Sequence, residues 1–303
     1  TAPGNPFYPV TIQTTLHNRL QQKAEEVVEA SEIKKGGLVL LDVKTNEILA
    51  MVSKPSVQVK DERLYTTTLE NQMLTPHFPG SVFKTIVAAA VIDQNENVFN
   101  RTFNCNQDLY GEDHPQVMMG TLSFKESFAR SCNRTFSELG NELIQKDKMV
   151  LETYVAALGA ASKVGWKGSV FHTTHFEQMP EEKRVTIWGS EGNKNSKKAV
   201  AQTAIGQKDV RMSPLAIANM MATIARGGEK MEVKAVEKIM YKNGTDFYTF
   251  EDHTLGGKQL SYETVKTLQE LLRGVVTTEK GTGAAFRSLP LSVAGKSGTA
   301  QTG

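Results

Sequence analysis

One stretch limits the fold more than any other: Thr85-Ile-Val-Ala-Ala-Ala-Val-Ile92, apolar on nearly every helical face. A helix without a polar stripe has to be enclosed by other elements. The stretch is far shorter than the roughly 18 apolar residues of a membrane span, so it belongs to a protein core. Enclosing it takes a long chain, and 303 residues suffice without disulfides or metals. That length suits one large domain or two subdomains.

The patterns on either side of the stretch differ. Thr1–Pro9 is Pro-rich and reads as an irregular lead-in over 1–10. A helix is expected from Thr14 or Thr15 to Ala30. Gly37–Val43 and Glu47–Val52 flank Lys44-Thr45-Asn46 and predict a hairpin. Ser53–Pro79 is polar and weakly patterned, and the chain then turns helical. Helices are expected over Ser81–Asp93, from a Ser123/Glu126 capping box to about Ala129, over Asn133–Ile144 and over Lys148–Leu158. Another runs from Ser213-Pro214 to the stop at Gly227-Gly228. Strand character returns over Val233–Tyr241, with Asn243-Gly244 as a type I′ turn. Ser261 caps a last helix to about Val276, and Leu291–Gly303 reads as a strand. The order predicts an α/β (α+β) fold: a mainly antiparallel central sheet flanked by helices, built from about 10–80 and 228–303. An all-helical subdomain over about 85–227 is inserted into it.

Lys and Arg exceed Asp and Glu by 35 − 33 = +2, which argues against an electrostatic nucleic-acid binder. Cys105 and Cys132 are too few for a disulfide scaffold or a four-cysteine zinc site. They suit one bridge or two free thiols equally. His114, His172 and His175 have no cysteine or carboxylate at metal spacing and read as surface residues. Met118-Met119 and Met220-Met221 read as core filler.

Three short segments could carry chemistry. In Phe78-Pro-Gly-Ser81-Val-Phe-Lys84, a spacing of three puts Ser81 and Lys84 on one helix face, within mutual reach. Burial disfavours a charged lysine, and a neutral amine beside a hydroxyl makes an activated nucleophile. The pattern is common, for Ser31-Glu-Ile-Lys34 repeats it without a burial signal, and Ser81 is also an ordinary helix cap. Ser131-Cys132-Asn133 fits a turn between helices, where both polar side chains can share a direction. In Ala294-Gly-Lys296-Ser297-Gly298-Thr299, strand alternation puts Lys296 and Gly298 on one face, with Ser297 and Thr299 on the other. Gly298 would let a ligand approach the backbone closely.

Together and in this order, the three segments resemble the motif set of penicillin-binding protein transpeptidase domains, class B type, in the serine D,D-transpeptidase and serine β-lactamase superfamily. Gly37–Pro55 is similar to the family's opening hairpin. Ala204-Ile-Gly-Gln207 with Met212–Ala218 is similar to the helical stretch before the third motif. Lys296-Ser297-Gly298 stands where Lys-Thr-Gly is usual, and Gly206-Gln-Lys208-Asp209 where Gly-Gln-Gly is usual. Related domains continue beyond the point corresponding to Gly303 with further strands and a helix, so the third-motif strand is expected to lack a neighbour.

The resemblance implies that Ser81 attacks a D-alanyl-D-alanine stem peptide and forms an acyl-enzyme, with Lys84 accepting the serine proton. Ser131, linked to Lys84 and Lys296, would relay a proton to the leaving amine, and Asn133 would hold the substrate amide. Lys296 would supply positive charge, and the Ser297 and Thr299 hydroxyls would bind the terminal carboxylate beside Gly298. The N–H groups of Ser81 and Thr299 would form an oxyanion hole. No metal or organic cofactor is implied. Implied partners are peptidoglycan stem peptides, β-lactams as covalent inhibitors, and other cell-wall synthesis proteins, at the extracytoplasmic face of a bacterial membrane with an anchor upstream of residue 1. A D,D-carboxypeptidase, β-lactamase or β-lactam sensor of the same fold is the nearest alternative. No Glu-x-x-Leu-Asn lies between Ser131 and Lys296, so slow deacylation is expected. A silent scaffold of a wall-synthesis complex is the other alternative, and it would have no need of all five polar residues.

Overall fold

The computed structural model describes residues 9–56, 70–94, 96–114, 116 and 118–300. The lead-in over 1–8, residues 57–69 of the weakly patterned stretch, and residues 301–303 of the tail lie outside them.

Val10–Thr14 forms strand β1, and helix α1 follows over Asn18–Ala30. The strand ends at Thr14, where the helix is expected to begin, and the helix starts later, at Asn18. The Val-Thr-Ile sequence suits an extended chain, and β1 pairs antiparallel with β8 (Val236–Tyr241), Ile12 opposite Ile239. Strands β2 (Gly36–Leu41) and β3 (Ile48–Lys54) form the expected hairpin. Its corner residue Asn46 is buried at φ +57° and donates to Asn219 Oδ1 (2.8 Å) and Met231 O (3.0 Å).

A 3₁₀ turn over Gly80–Phe83 runs into α2 (Lys84–Gln94), whose residues Lys84 to Val91 are all buried. Pro79, rather than Ser81, caps the turn. The next elements are α3 (Phe124–Ala129), α4 (Asn133–Lys146), α5 (Val150–Ala157), α6 (Lys197–Ala204) and α7 (Pro214–Ala225). Helix α8 (Tyr262–Thr277) follows later in the chain, and α2 packs against α4, α5 and α8. The apolar stretch is thus enclosed on several sides, as its lack of a polar face requires. Ser123 and Glu126 make both capping-box bonds, and Ser213 caps α7 with Pro214 in its first turn. Both signals are local, so the folded neighbours leave them unchanged.

The block from 85 to 227 is not purely helical. Two short antiparallel ladders are set into it: β4 (Thr102–Asn104) with β5 (Thr121–Ser123), and β6 (Lys167–Val170) with β7 (Thr173–Glu177). Buried Phe103 opposite Leu122 explains the first. Strand β9 (Asp246–Thr249) completes the sheet β1–β8–β9. In the β8–β9 turn only Gly244 takes a positive φ (86°), and its N–H donates to Tyr241 O. The turn is therefore a type I turn with a glycine bulge, not the expected type I′.

Every ladder is antiparallel, and a bridge between Glu47 and Lys234 links the β2–β3 hairpin to the chain leading into β8. The mixed α/β class read from the sequence is the observed one. The strand expected over Leu291–Gly303 is not formed by its described residues, 291–300. Residues 292–300 join no ladder, because no strand lies alongside them among the described residues. Helix α8 holds this segment instead: Gly295 N–H donates to Leu272 O (3.1 Å) and Arg273 Nη1 to Val293 O (2.5 Å).

Candidate active site

The three sequence segments converge on one cleft of about 600 Å³, lined among others by Ser81, Ser131, Asn133 and Thr299. What brings them together is close backbone contact at glycines. Gly80 has φ +52°, donates its N–H to Gly206 O (3.1 Å), and abuts Thr299: a Cβ there would sit 2.4 Å from Thr299 O. A Cβ on Gly206 would fall 2.0 Å from Gly80 O, and one on Gly298 2.8 Å from Pro79 O. No side chain fits at these contacts, so three distant segments interlock through bare backbone.

Lys84 opens α2 at 0% exposure. Its Nζ donates to Ser131 O (2.7 Å) and Asn133 Oδ1 (2.7 Å) and lies 3.1 Å from Ser131 Oγ. Burial, reinforced by the nearby charge of Lys296, holds its pKa well below the usual lysine value. A neutral amine has two N–H donors and one lone pair. The short contacts to Ser131 O and Asn133 Oδ1 engage the donors and leave the lone pair for a hydroxyl proton. The expected reach from Lys84 to Ser81 is not made directly, and Ser81 Oγ has no hydrogen bond among the described residues. The second segment takes the amine instead.

Ser131 sits between α3 and α4 at φ +60°, a left-handed conformation that costs a non-glycine residue about 1–2 kcal/mol. Several contacts hold it there. Ser131 N–H donates to Phe128 O (3.2 Å), Cys132 N–H to Ser127 O (2.9 Å), and a Cys105–Cys132 disulfide ties the turn to the strand end at Cys105. Of the two options open for the cysteines, the bridge is the one formed. Asn133 is the first residue of α4, which aims its amide at Lys84.

Lys296 Nζ donates to Ser131 Oγ (2.9 Å), so this one hydroxyl lies between two lysine amines. Burial lowers the Lys296 pKa to about 8. Strict alternation fails here, because Lys296 reaches Ser131 while Thr299 lines the same cleft. The segment is not a regular strand, and its side chains are not bound to a period of two. Ser297 is turned away, its Oγ donating to Thr282 Oγ1 (2.8 Å). Neither the Ser81 nor the Thr299 N–H is hydrogen-bonded among the described residues.

Several residues at the site carry no signal of their own in the sequence. Thr282 supports the third segment through Ser297, and only its place between Gly281 and Gly283 marks it. Phe78 and Lys208 also line the cleft, and no carboxylate is among the lining residues.

The family model for the penicillin binding protein transpeptidase domain matches residues 36–303. The peptidoglycan D,D-transpeptidase PbpA of Mycobacterium tuberculosis is 28% identical over 325 aligned positions, covering 96% of this chain and 61% of the relative. The chain thus spans about three fifths of the length of that relative. Among solved structures, the ceftriaxone acyl-enzyme complex of penicillin-binding protein A from M. tuberculosis superposes with a TM-score of 0.75 at 25% identity, covering 97% of this chain and 67% of that one. A component of a structure on the coordination of polymerization and crosslinking by a peptidoglycan synthase complex gives 0.70 at 26% identity, covering 96% of this chain and 53% of that one. With the family match running unbroken from β2 through all three converging segments, the chain belongs to the penicillin-binding protein transpeptidase domain family.

Proposed function

We propose that this chain forms the acyl-transfer domain of a peptidoglycan D,D-transpeptidase, one transpeptidase domain over 1–303 in two parts. A sheet-bearing part (about 10–80 and 228–303) and a mainly helical part (about 85–227) would meet at the cleft. The observation that carries the reading is Ser131 Oγ held between the amines of Lys84 and Lys296, beside a serine at the head of a buried helix. Relatives trapped as β-lactam acyl-enzymes support it.

In this reading Ser81 Oγ attacks the carbonyl carbon of the penultimate D-alanine, and its proton passes to the neutral Lys84 amine. The oxyanion is held by the N–H groups of Ser81 and Thr299; one such donor typically contributes about 3 kcal/mol. As the C–N bond breaks, Ser131 hands a proton to the leaving amine of the terminal D-alanine and recovers one from Lys84. Lys296 and the Thr299 hydroxyl hold that residue's carboxylate, and Asn133 orients the peptide amide. An amine on a second stem peptide then attacks the ester, forming the cross-link and freeing Ser81. No helix among the described residues is long and apolar enough to cross a membrane. The reading places the domain outside the cytoplasmic membrane, where its substrate lies, alongside other cell-wall synthesis proteins.

Intact-mass measurement after adding benzylpenicillin, beside a Ser81→Ala control, tests the reading. The expected result is a lasting adduct of one drug mass, absent from the control. An adduct lost within seconds would indicate a β-lactamase instead, and one that survives Ser81→Ala would overturn the assignment of the nucleophile.

A further inference from the structure

The turn after Gly206 contains a residue that neither the fold nor the acyl-transfer steps explain. Lys208 has φ +60°, a conformation glycine adopts freely and a lysine adopts at a cost of about 1–2 kcal/mol. It is the second residue of the turn closed by Val210 N–H on Gln207 O (3.2 Å). The turn is braced from outside. Arg211 Nη1 donates to Lys208 O and to Val210 O (3.0 Å each), and its guanidinium lies 3.3 Å from the centre of the Phe78 ring. A non-glycine residue kept in a strained conformation beside a cleft points to a use for its side chain.

The surroundings indicate what that use is. Lys208 lines the cleft together with Phe78 and Ser81 and has no ion-pair partner among the described residues. The adjacent carboxylate, Asp209, is engaged elsewhere and accepts from Asn193 Nδ2 (2.7 Å). Among the described residues no carboxylate lines the cleft, and none of those on its wall neutralises this ammonium. Gly80 separates the turn from the third segment: its N–H faces Gly206 and its α-carbon faces Thr299. If Lys296 and Thr299 hold the carboxylate of the leaving residue, Lys208 flanks the other side of the scissile bond.

We infer that Lys208 is a specificity-determining residue that pairs with a second carboxylate, carried on the acyl portion of the substrate. The inference rests on the acyl-transfer reading above. It makes the cleft selective for dianionic donors through one unpaired cation at its rim, a kind of charge that governs encounter rate and salt dependence.

Benzylpenicillin and carbenicillin form a matched pair of probes, since carbenicillin adds one carboxylate beside the phenyl ring on the acyl side. The quantity to measure is the ratio of their second-order acylation rates, carbenicillin over benzylpenicillin. The ratio is expected to fall about ten-fold in Lys208→Gln. It should fall as far in Lys208→Gly, which suits the left-handed turn and guards against a folding defect, and stay near wild type in Lys208→Arg. Raising the salt concentration should lower the wild-type ratio and leave the Gln variant unmoved. A ratio unchanged in both neutral variants would overturn the inference. So would equal slowing of the two drugs, because Lys208 would then act through the turn and not through its charge. If the wild-type chain is acylated by neither drug, the acyl-transfer reading fails and this inference fails with it.

Discussion

The turn that presents Ser131 and the tail that presents Lys296 meet at the same hydroxyl, yet they are secured by opposite means. The turn is fixed from behind by a disulfide, two backbone hydrogen bonds and a helix starting at Asn133. The tail pairs with no strand and is held by two bonds to α8, by Lys296 on Ser131, and by Ser297 on Thr282. The half of the site that carries Ser131 is therefore preorganised, while the half that carries Lys296 depends on contacts with its neighbours. Changes to the first should appear in the chemical step or in stability, and changes to the second as graded losses of rate.

The largest expected effect is at Lys84. Lys84→Met should lower the benzylpenicillin acylation rate by about a thousand-fold or more, on the scale of losing one member of a catalytic unit. Its melting temperature should fall only modestly, because relief of the buried amine offsets part of the cost of leaving Ser131 O and Asn133 Oδ1 without their donor. A sharp drop in melting temperature would show that the amine is structural as well.

Next comes the disulfide, which joins residues 27 apart in sequence. Cys105→Ser with Cys132→Ser should cost about 3–4 kcal/mol in denaturant unfolding, through the freedom regained by the unfolded chain. The acylation rate should fall as the Ser131 turn relaxes. Full stability with full rate would remove the contrast between the two halves.

A pH profile separates the halves without mutation. On the proposed mechanism Lys84 acts as the neutral amine, and its pKa is lowered, so acylation should rise with pH as it loses its proton. The same mechanism uses Lys296 charged, and its pKa is about 8, so the rate should fall above that value. For stability the sign is opposite to that of a paired lysine. A depressed lysine pKa favours the folded state at high pH, and that contribution is lost as pH falls toward about 8. Lys296→Arg should shift the alkaline limb upward, because arginine keeps its charge there.

The smallest expected effect is at Thr282. Thr282→Val removes the acceptor for Ser297 Oγ and should slow acylation roughly three- to ten-fold, the worth of one ordinary hydrogen bond. The melting temperature should stay nearly constant, since the contact is exposed.

Features written in a few adjacent letters were legible in the sequence. The capping box at Ser123, the cap at Ser213-Pro214, the β2–β3 hairpin and the apolar α2 all appear where local chemistry puts them. Strands that depend on a distant partner were not legible. β1 exists because Val236–Tyr241 lies beside it, and residues 292–300 form no strand because none lies alongside them among the described residues. The site divides in the same way. The types and order of Ser81, Lys84, Ser131, Asn133 and Lys296 could be read, but not that Lys84 would turn from Ser81 to Ser131 and Asn133. The left-handed backbone of Lys208 is marked only by its standing where the family usually has glycine, and Thr282 gains its role only when folding brings it to Ser297.

The contacts at Gly80, Gly206 and Gly298 also bear on how such a domain can vary over generations. At each, the nearest atom an added carbon would meet is backbone of another segment, so none can change alone and shrinking a side chain would not relieve the overlap. Gly227 and Gly244 also have positive φ, but they face open space and carry no such veto. A lineage under pressure to admit a new donor or to exclude a drug finds the centre of this cleft closed to experiment. Its freedom lies at the rim, in side chains such as Phe78, Gln202 and Lys208.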